Sequence, residues 1–420
     1  MADNVATLTS AINTAVADLA GKDEIPEAAR YQLLEAIDKL RVAVEPPLLT
    51  IRNFCFGVSN SPGSYHPFNL FHHSLVAIRV AMGMGIFDAF ASTKNGEMTA
   101  DALNEKTKGD KGLLGKCFPS LFSLMRIMRV LCANHIFEET GVEKYHQLPL
   151  AIMFATDSPP SEVIKHFHSD MKASVHSYDY FEARGYQNPE DAYDTTFQLA
   201  FGTKEHYFEW LQHNPEELHA FNTVMEIGNR SLEGVQWYDY YPWQEKLATT
   251  SGTDRVLLVD IGGGKGHDIS GFKRKYTEIK HQLIVQDLPK VIEDIQEPLI
   301  EGIKVVGYNM FDPQPIKGAK AYYMRTVLHD WPDKQALQAL SRVHDAMATD
   351  SLLLINENVL PEINAPGFSS SMDIIMMELY GSLERTERQW LALLEKAQFR
   401  VVKIWRSGFQ GTGSNALFEA

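Results

Sequence analysis

The stretch Val256–His267 constrains this chain more than any other. Val256-Leu257-Leu258-Val259, then Asp260-Ile261, reads as a buried parallel strand, and Gly262-Gly263-Gly264-Lys265-Gly266 reads as a tight strand-to-helix turn. A turn without side chains lets backbone amides approach a ligand at the start of a helix. The spacing narrows the choice of ligand. A dinucleotide fingerprint needs a glycine at the sixth position, which counted from Gly262 is His267. What stands here is Asp-x-Gly-x-Gly-x-Gly, for which a generic α/β turn is the alternative reading.

The surrounding rhythm favours a ligand site. After Thr253, strands are expected at Arg255–Asp260, His281–Asp287, Ile303–Tyr308, Ala321–Arg325 and Ser351–Asn356. Helical stretches at Gly266–Tyr276, Pro332–Met347 and Arg388–Ala397 alternate with them, and Arg400–Trp405 with Asn415–Glu419 reads as a closing hairpin. The expected fold class is α/β, a doubly wound parallel sheet that binds ligands beyond the carboxyl ends of its strands.

The N-terminal part has a different pattern. Residues up to about Val44 look helical until Pro46-Pro47, and Asn53–Asn69 reads as a loop. His73–Phe90, a helix capped by Thr99 and Phe118–Leu131 form three helical segments, followed by a hairpin of Phe137–Glu139 and Tyr145–Leu148. That is the outline of a winged helix. Residues 87–155 hold eight Lys+Arg and eight Asp+Glu, so nothing neutralises phosphates and a dimerisation module is the better reading. Residues 161–246 are helical and dense in aromatics, suited to a core or to the wall of a site for a flat substrate. The expected division is an extension and linker at 1–70, a winged-helix-like dimerisation domain at 71–160, a substrate-wall region at 161–250 and a catalytic domain at 251–420.

With 420 residues and a formal charge of −15, the chain suits two domains and argues against nucleic-acid binding. Met1-Ala2-Asp3-Asn4 lacks the features of a signal peptide and no apolar run is long enough to span a membrane, so a cytoplasmic protein is expected. Cys55, Cys117 and Cys132 read as reduced core residues, and the carboxylates and histidines show no metal-ligand spacing.

Chemistry is expected at the strand ends. Asp287, closing the second strand, can accept hydrogen bonds from two ribose hydroxyls. Asn309 can bond an adenine or ribose edge, with Met310 and Phe311 as apolar neighbours. Asp330 is expected to cap the helix that Pro332 opens, with Asp333 completing a capping box. His329 stands just before it, at the mouth of the crevice.

Asp260–Gly266, Gln286–Pro289, Asn309–Phe311, Leu328–Asp333 and Glu384-Arg385-Thr386-Glu387, in this order, resemble the plant- and fungal-type class I S-adenosylmethionine-dependent small-molecule O-methyltransferases. The resemblance covers roughly Phe71 to Ala420. It implies a Rossmann-like methyltransferase sheet with a mainly helical dimerisation domain, S-adenosylmethionine (SAM) as methyl donor and S-adenosylhomocysteine as product. His329 would be the general base that takes the proton of an aromatic or enolic hydroxyl. Glu357 and Glu384 would flank its imidazole, fixing the tautomer and stabilising the imidazolium. Cofactor contacts would fall on Gly262, Gly264, Asp287, Leu288, Asn309, Met310, Phe311 and Arg325, with Met225 near the sulfonium. Two residues depart from the common pattern: Asn309 replaces an Asp, and Arg325 stands where plant members often have Lys.

The implied partners are a small aromatic or enolic acceptor and a second copy of the chain, without nucleic acid or membrane. A second reading is a pericyclase or isomerase on the same fold, using the sulfonium as a fixed charge. The relatives known for this tend to replace the catalytic His, which this chain keeps. A third reading, a winged-helix regulator that senses the cofactor, conflicts with the balanced charge.

Overall fold

The computed structural model describes residues 2–19, most of 33–51, 71–107, 119–231 apart from 157, 235–247, 254–406 apart from 294 and 296–298, and 414–420. The expected loop Asn53–Asn69 and two of the cysteines, Cys55 and Cys117, lie outside this set. No helix among the described residues is long and apolar enough to cross a membrane.

Near the N-terminus, Ala2–Leu19 is a helix, and the described residues of 33–44 are helical up to the break before Pro46. The continuous helix expected over His73–Phe90 is two helices, Phe71–Met84 and Ile86–Ala91. Gly85 between them is left-handed at φ 78°, a conformation that glycine adopts without steric cost. Thr99 caps Ala100–Lys106, its hydroxyl accepting from the Ala102 amide at 3.2 Å. After the helix Pro119–Ala133, the hairpin forms as β2 (Phe137–Gly141) and β3 (Lys144–Gln147). A strand the periodicity did not reveal, β1 (Glu97–Thr99), pairs with β3 and makes a three-stranded wing. Phe87, Phe90, Phe137 and Phe154 close the core beneath it.

Helix Pro159–Ser174 joins the two halves. Val163, Ile164 and Phe167 enter the N-terminal core, while Ala173 packs with Phe197, Tyr207 and Tyr380 in a separate aromatic cluster. Most of the aromatic stretch is core. Trp237, Tyr238 and Trp243 pack on Phe272 beneath the main sheet, where complete burial of such a ring contributes about 2–3 kcal/mol.

The main sheet comprises β4 (Leu258–Ile261), β5 (Leu283–Asp287), β6 (Ile303–Gly307), β7 (Ala321–Arg325), β8 (Leu352–Val359), β9 (Lys403–Arg406) and β10 (Ser414–Glu419). Their order is β6-β5-β4-β7-β8-β10-β9, parallel through β8, with β10 antiparallel to both neighbours. β8 runs three residues past the expected Asn356 because β10 pairs with it out to Val359. The chain leaves β4 towards β5 and β6, then crosses back to β7. The strand order thus reverses at β4, which opens a crevice above β4 and β7.

Candidate active site

The glycine turn forms one wall of that crevice. The amides of Gly262 and Gly263 donate to the Gln286 carbonyl at 2.8 and 3.1 Å, tying the turn to the end of β5. Gly262, Gly264 and Gly266 all have positive φ (71°, 56° and 74°). A Cβ at Gly263 would lie 2.7 Å from the Asp260 carboxylate, which is buried beneath the turn with Oδ2 unpartnered. Burial, aided by the Asp268 charge, pushes the Asp260 carboxyl well above the usual range.

Asp287 stands beside the turn. Its Oδ2 accepts from the Gly264 amide at 2.8 Å and its Oδ1 from the Leu288 amide at 2.7 Å. The expected ribose-binding carboxylate is therefore held in place by the turn itself. Burial raises its pKa, and the two amide bonds oppose that shift. Asn309 is exposed after β6, its Oδ1 accepting from the Phe311 amide at 3.1 Å. The Phe311 ring meets Trp331 edge-on at 4.7 Å.

Arg325 at the end of β7 pairs with Asp268, in the first turn of helix His267–Lys275, at 3.3 Å. Asp268 also accepts from the Tyr323 hydroxyl at 2.7 Å, which itself accepts from the Asn356 amide at 2.9 Å. Burial works against the Arg325 charge, but Asp268 and Tyr323 more than compensate, so the guanidinium stays ionised with its Nε unpartnered. These groups fit a zwitterionic nucleoside ligand. An amide-lined turn, a carboxylate at its rim and a cation with a free donor would hold the ribose and the polar tail of SAM.

His329 stands on the turn after β7. Thr326 is left-handed (φ 47°) and Leu328–Asp330 forms a single 3-10 turn. Glu357, fully buried on β8, accepts from the Val327 and Leu328 amides at 3.0 and 2.9 Å. The His329 Nδ1–H donates to Glu384 Oε1 at 3.0 Å, which fixes the tautomer with Nε2 facing away. Asn358 holds the other Glu384 oxygen at 3.2 Å, and the Glu384 amide donates to Asp373 at 2.7 Å. Asp330 Oδ1 lies 3.4 Å from Nε2.

One expectation is corrected here. Asp330 does not cap the helix, which begins at Asp333 with Pro332 in the cap position and no side-chain cap bond. Instead buried Arg385 donates to the carbonyls of Leu328 and Trp331 at 3.0 and 2.9 Å and to Asp333 at 2.9 Å, holding the turn from a distant segment. Glu357 does not hydrogen-bond the imidazole but its backbone support, reaching the ring only through its charge. The second carboxylate beside the ring is Asp330. Met225 lies exposed on helix Pro215–Ser231.

Electrostatically, burial alone would lower the His329 pKa. The Asp330 and Glu384 carboxylates, aided by Glu357, outweigh it and push the ring up to about 10. Burial also raises Asp330 to about 6 and Glu357 to about 7. The sequence reading missed Asp268, Asn358, Asp373 and Arg385 as partners. Arg385 stood inside the Glu-Arg-Thr motif, which was its one visible signal.

Residues 186–400 match the family model of the O-methyltransferase domain. O-methyltransferase mfmE of Annulohypoxylon moriforme is 35% identical over 79% of this chain and 79% of its own length. Demethylsterigmatocystin 6-O-methyltransferase of Aspergillus flavus is 32% identical over 77% of this chain and 80% of its own. Among solved structures, a pericyclic reaction enzyme and LepI in complex with SAM each superpose with TM-score 0.72 and 26% identity, covering 99% of both chains. The fold is that of a SAM-dependent methyltransferase. The chain belongs to the O-methyltransferase family, among its fungal secondary-metabolite members.

Proposed function

We propose that this protein transfers a methyl group from SAM to a hydroxyl of an aromatic or enolic small molecule, with His329 as general base. The observation that carries this is the His329 Nδ1–Glu384 bond of 3.0 Å, which leaves Nε2, 3.4 Å from Asp330, as the nitrogen that would meet a substrate proton. The Asp330 and Glu384 carboxylates hold the His329 pKa up, so the form that takes the acceptor proton is the neutral ring, whose population grows as pH rises. Glu384 orients the ring, and Glu357 fixes the backbone that carries it. When bound, SAM supplies an electrophilic methyl on a sulfonium and leaves as S-adenosylhomocysteine. Asp287, Gly262, Gly264 and Leu288 would hold the ribose side, Asn309, Met310 and Phe311 the adenine, Arg325 the polar tail, and Met225 the acceptor side. The Aspergillus flavus relative, named for demethylsterigmatocystin, supports an aromatic acceptor.

The proposed organisation keeps residues 1–70 and 71–160 as extension and dimerisation domain, 161–250 as substrate wall and 251–420 as catalytic domain. A homodimer is supported by apolar pairs exposed at helical spacing, Leu8 with Ile12 and Val76 with Val80. A cytoplasmic location is part of the same reading.

The test is mass spectrometry of reactions with SAM and a panel of phenols, enols and hydroxypyridones. A product heavier by one CH₂, formed in step with S-adenosylhomocysteine, supports the reading. The likeness to a pericyclic reaction enzyme sustains one alternative. An acceptor consumed without methyl gain, with SAM intact, would favour that alternative and overturn methyl transfer.

A further inference from the structure

Helix Pro159–Ser174 carries a polar stripe at helical spacing that the methyl-transfer account does not use: Glu162, His166 and Asp170. All three are buried, Asp170 to 4% exposure. Neither Asp170 oxygen has a hydrogen-bond partner, and its Oδ2 lies 3.5 Å from His166 Nε2. A buried carboxyl left without partners is costly, so a bound group that hydrogen-bonds it would be favoured there.

The surroundings connect the stripe to the base. The His166 ring meets Phe221 at 5.8 Å, Phe221 meets Phe208 at 5.6 Å, and Phe208 meets Trp331 at 6.3 Å, two residues beyond His329. Tyr207 and Tyr380, in edge contact at 5.2 Å, are pushed well up chiefly by burial. Asp170 and Asp330 both act electrostatically on each of these tyrosines, so both carboxyls lie near one aromatic cluster. The Ser174 and Ser177 hydroxyls donate to Glu378, fastening the end of this helix to Gly367–Tyr380, which carries Tyr380.

We propose that Asp170, with His166, forms a recognition site for a second hydroxyl of the acceptor, distinct from the oxygen that is methylated. The inference rests on the aromatic cluster being the acceptor side of a methyltransferase. Asp170 hydrogen-bonds the hydroxyl while His166 presents Nε2 to the same group. The His166 ring is neutral, because burial lowers it to about 4. Burial, with Glu217 and Glu378 adding to it, holds the Asp170 carboxyl well above its ordinary range. The site would select poly-oxygenated acceptors and fix which oxygen reaches His329.

The test is calorimetric binding of α-naphthol and the dihydroxynaphthalene isomers to the full-length protein saturated with S-adenosylhomocysteine. At least one dihydroxy isomer should bind about tenfold tighter than α-naphthol, as expected for one buried hydrogen bond to a charged or strongly polar group. Asp170→Ala and Asp170→Leu should erase that advantage and leave α-naphthol and S-adenosylhomocysteine affinity unchanged, while Asp170→Asn keeps most of it. The proposal is overturned if no isomer outbinds α-naphthol, if neither compound class binds, or if the advantage survives in Asp170→Ala. It is also overturned if Asp170→Ala weakens every ligand equally. Turnover with SAM is scored separately. Discrimination without methylation leaves the site standing and counts against the methyl-transfer reading, whereas methylation without discrimination removes the site alone.

Discussion

Gly262 and Val327 meet so closely that a Cβ on Gly262 would lie 2.6 Å from Val327 Cγ2. Gly262 belongs to the glycine turn after β4, and Val327 belongs to the turn that carries His329. The two loops therefore share one contact surface, and a side chain at 262 would press on the turn that carries His329.

Gly262→Ala should weaken SAM binding and lower kcat together, each by about tenfold or more, since about 1–2 kcal/mol of left-handed strain adds to the clash. Gly264→Ala makes the control. It has φ 56° but nothing within 4 Å of a Cβ, so only the strain applies and kcat at saturating SAM should hold. Steady-state kinetics with both substrates varied distinguishes the two, and equal kinetics in the two variants would contradict the shared surface.

Glu384 and Glu357 should separate by what they hold. Glu384→Gln loses the charge that steadies the imidazolium and should cut kcat about a hundredfold, with little change in melting temperature. Glu357→Ala strands two buried amides and should cost about 2–5 kcal/mol of stability as well as rate. Thermal unfolding beside kcat would show this. A Glu357→Ala protein as stable as wild type would refute its role as backbone support.

Asp287→Ala should raise the KM for SAM about tenfold or more and leave the acceptor KM near its original value. The loss has two sources, the missing ribose partner and the freed Gly264 amide. A changed acceptor KM with an unchanged SAM KM would place the carboxylate in the wrong half of the site.

The base should also respond to cofactor charge. Burial lowers His329, and Asp330, Glu384 and Glu357 together raise it to about 10, so its proton is held at neutral pH and lost as pH rises. A sulfonium in the same crevice repels the imidazolium, whereas the uncharged sulfur of S-adenosylhomocysteine does not. NMR titration of nitrogen-labelled histidine should give a lower midpoint with SAM than with S-adenosylhomocysteine. The same midpoint, or the reverse order, would contradict the placement.

How much of this the sequence revealed depends on how far each interaction reaches along the chain. β4 and β5 were legible because strands buried on both faces read as apolar runs. β1 was not, since three residues with only Met98 turned inward carry no usable period. The division at Gly85 was missed because one glycine inside an apolar helical pattern is compatible with a continuous helix. Asp330 looked like a cap on local grounds, because Arg385, which organises that turn, lies far along the chain. Asp170 was overlooked for a related reason: polar residues four apart read as a solvated face until a second helix covers them.

Single-turnover methyl transfer at saturating SAM, followed from neutral to alkaline pH, tests most directly whether His329 removes the acceptor proton. The wild-type rate should climb with pH as His329 loses its proton. His329→Gln should bind SAM normally, react about 10²- to 10⁴-fold more slowly, and show none of that His329-dependent rise. A His329→Gln protein transferring methyl at a rate close to wild type, with the same pH profile, would show that the proton leaves by another route.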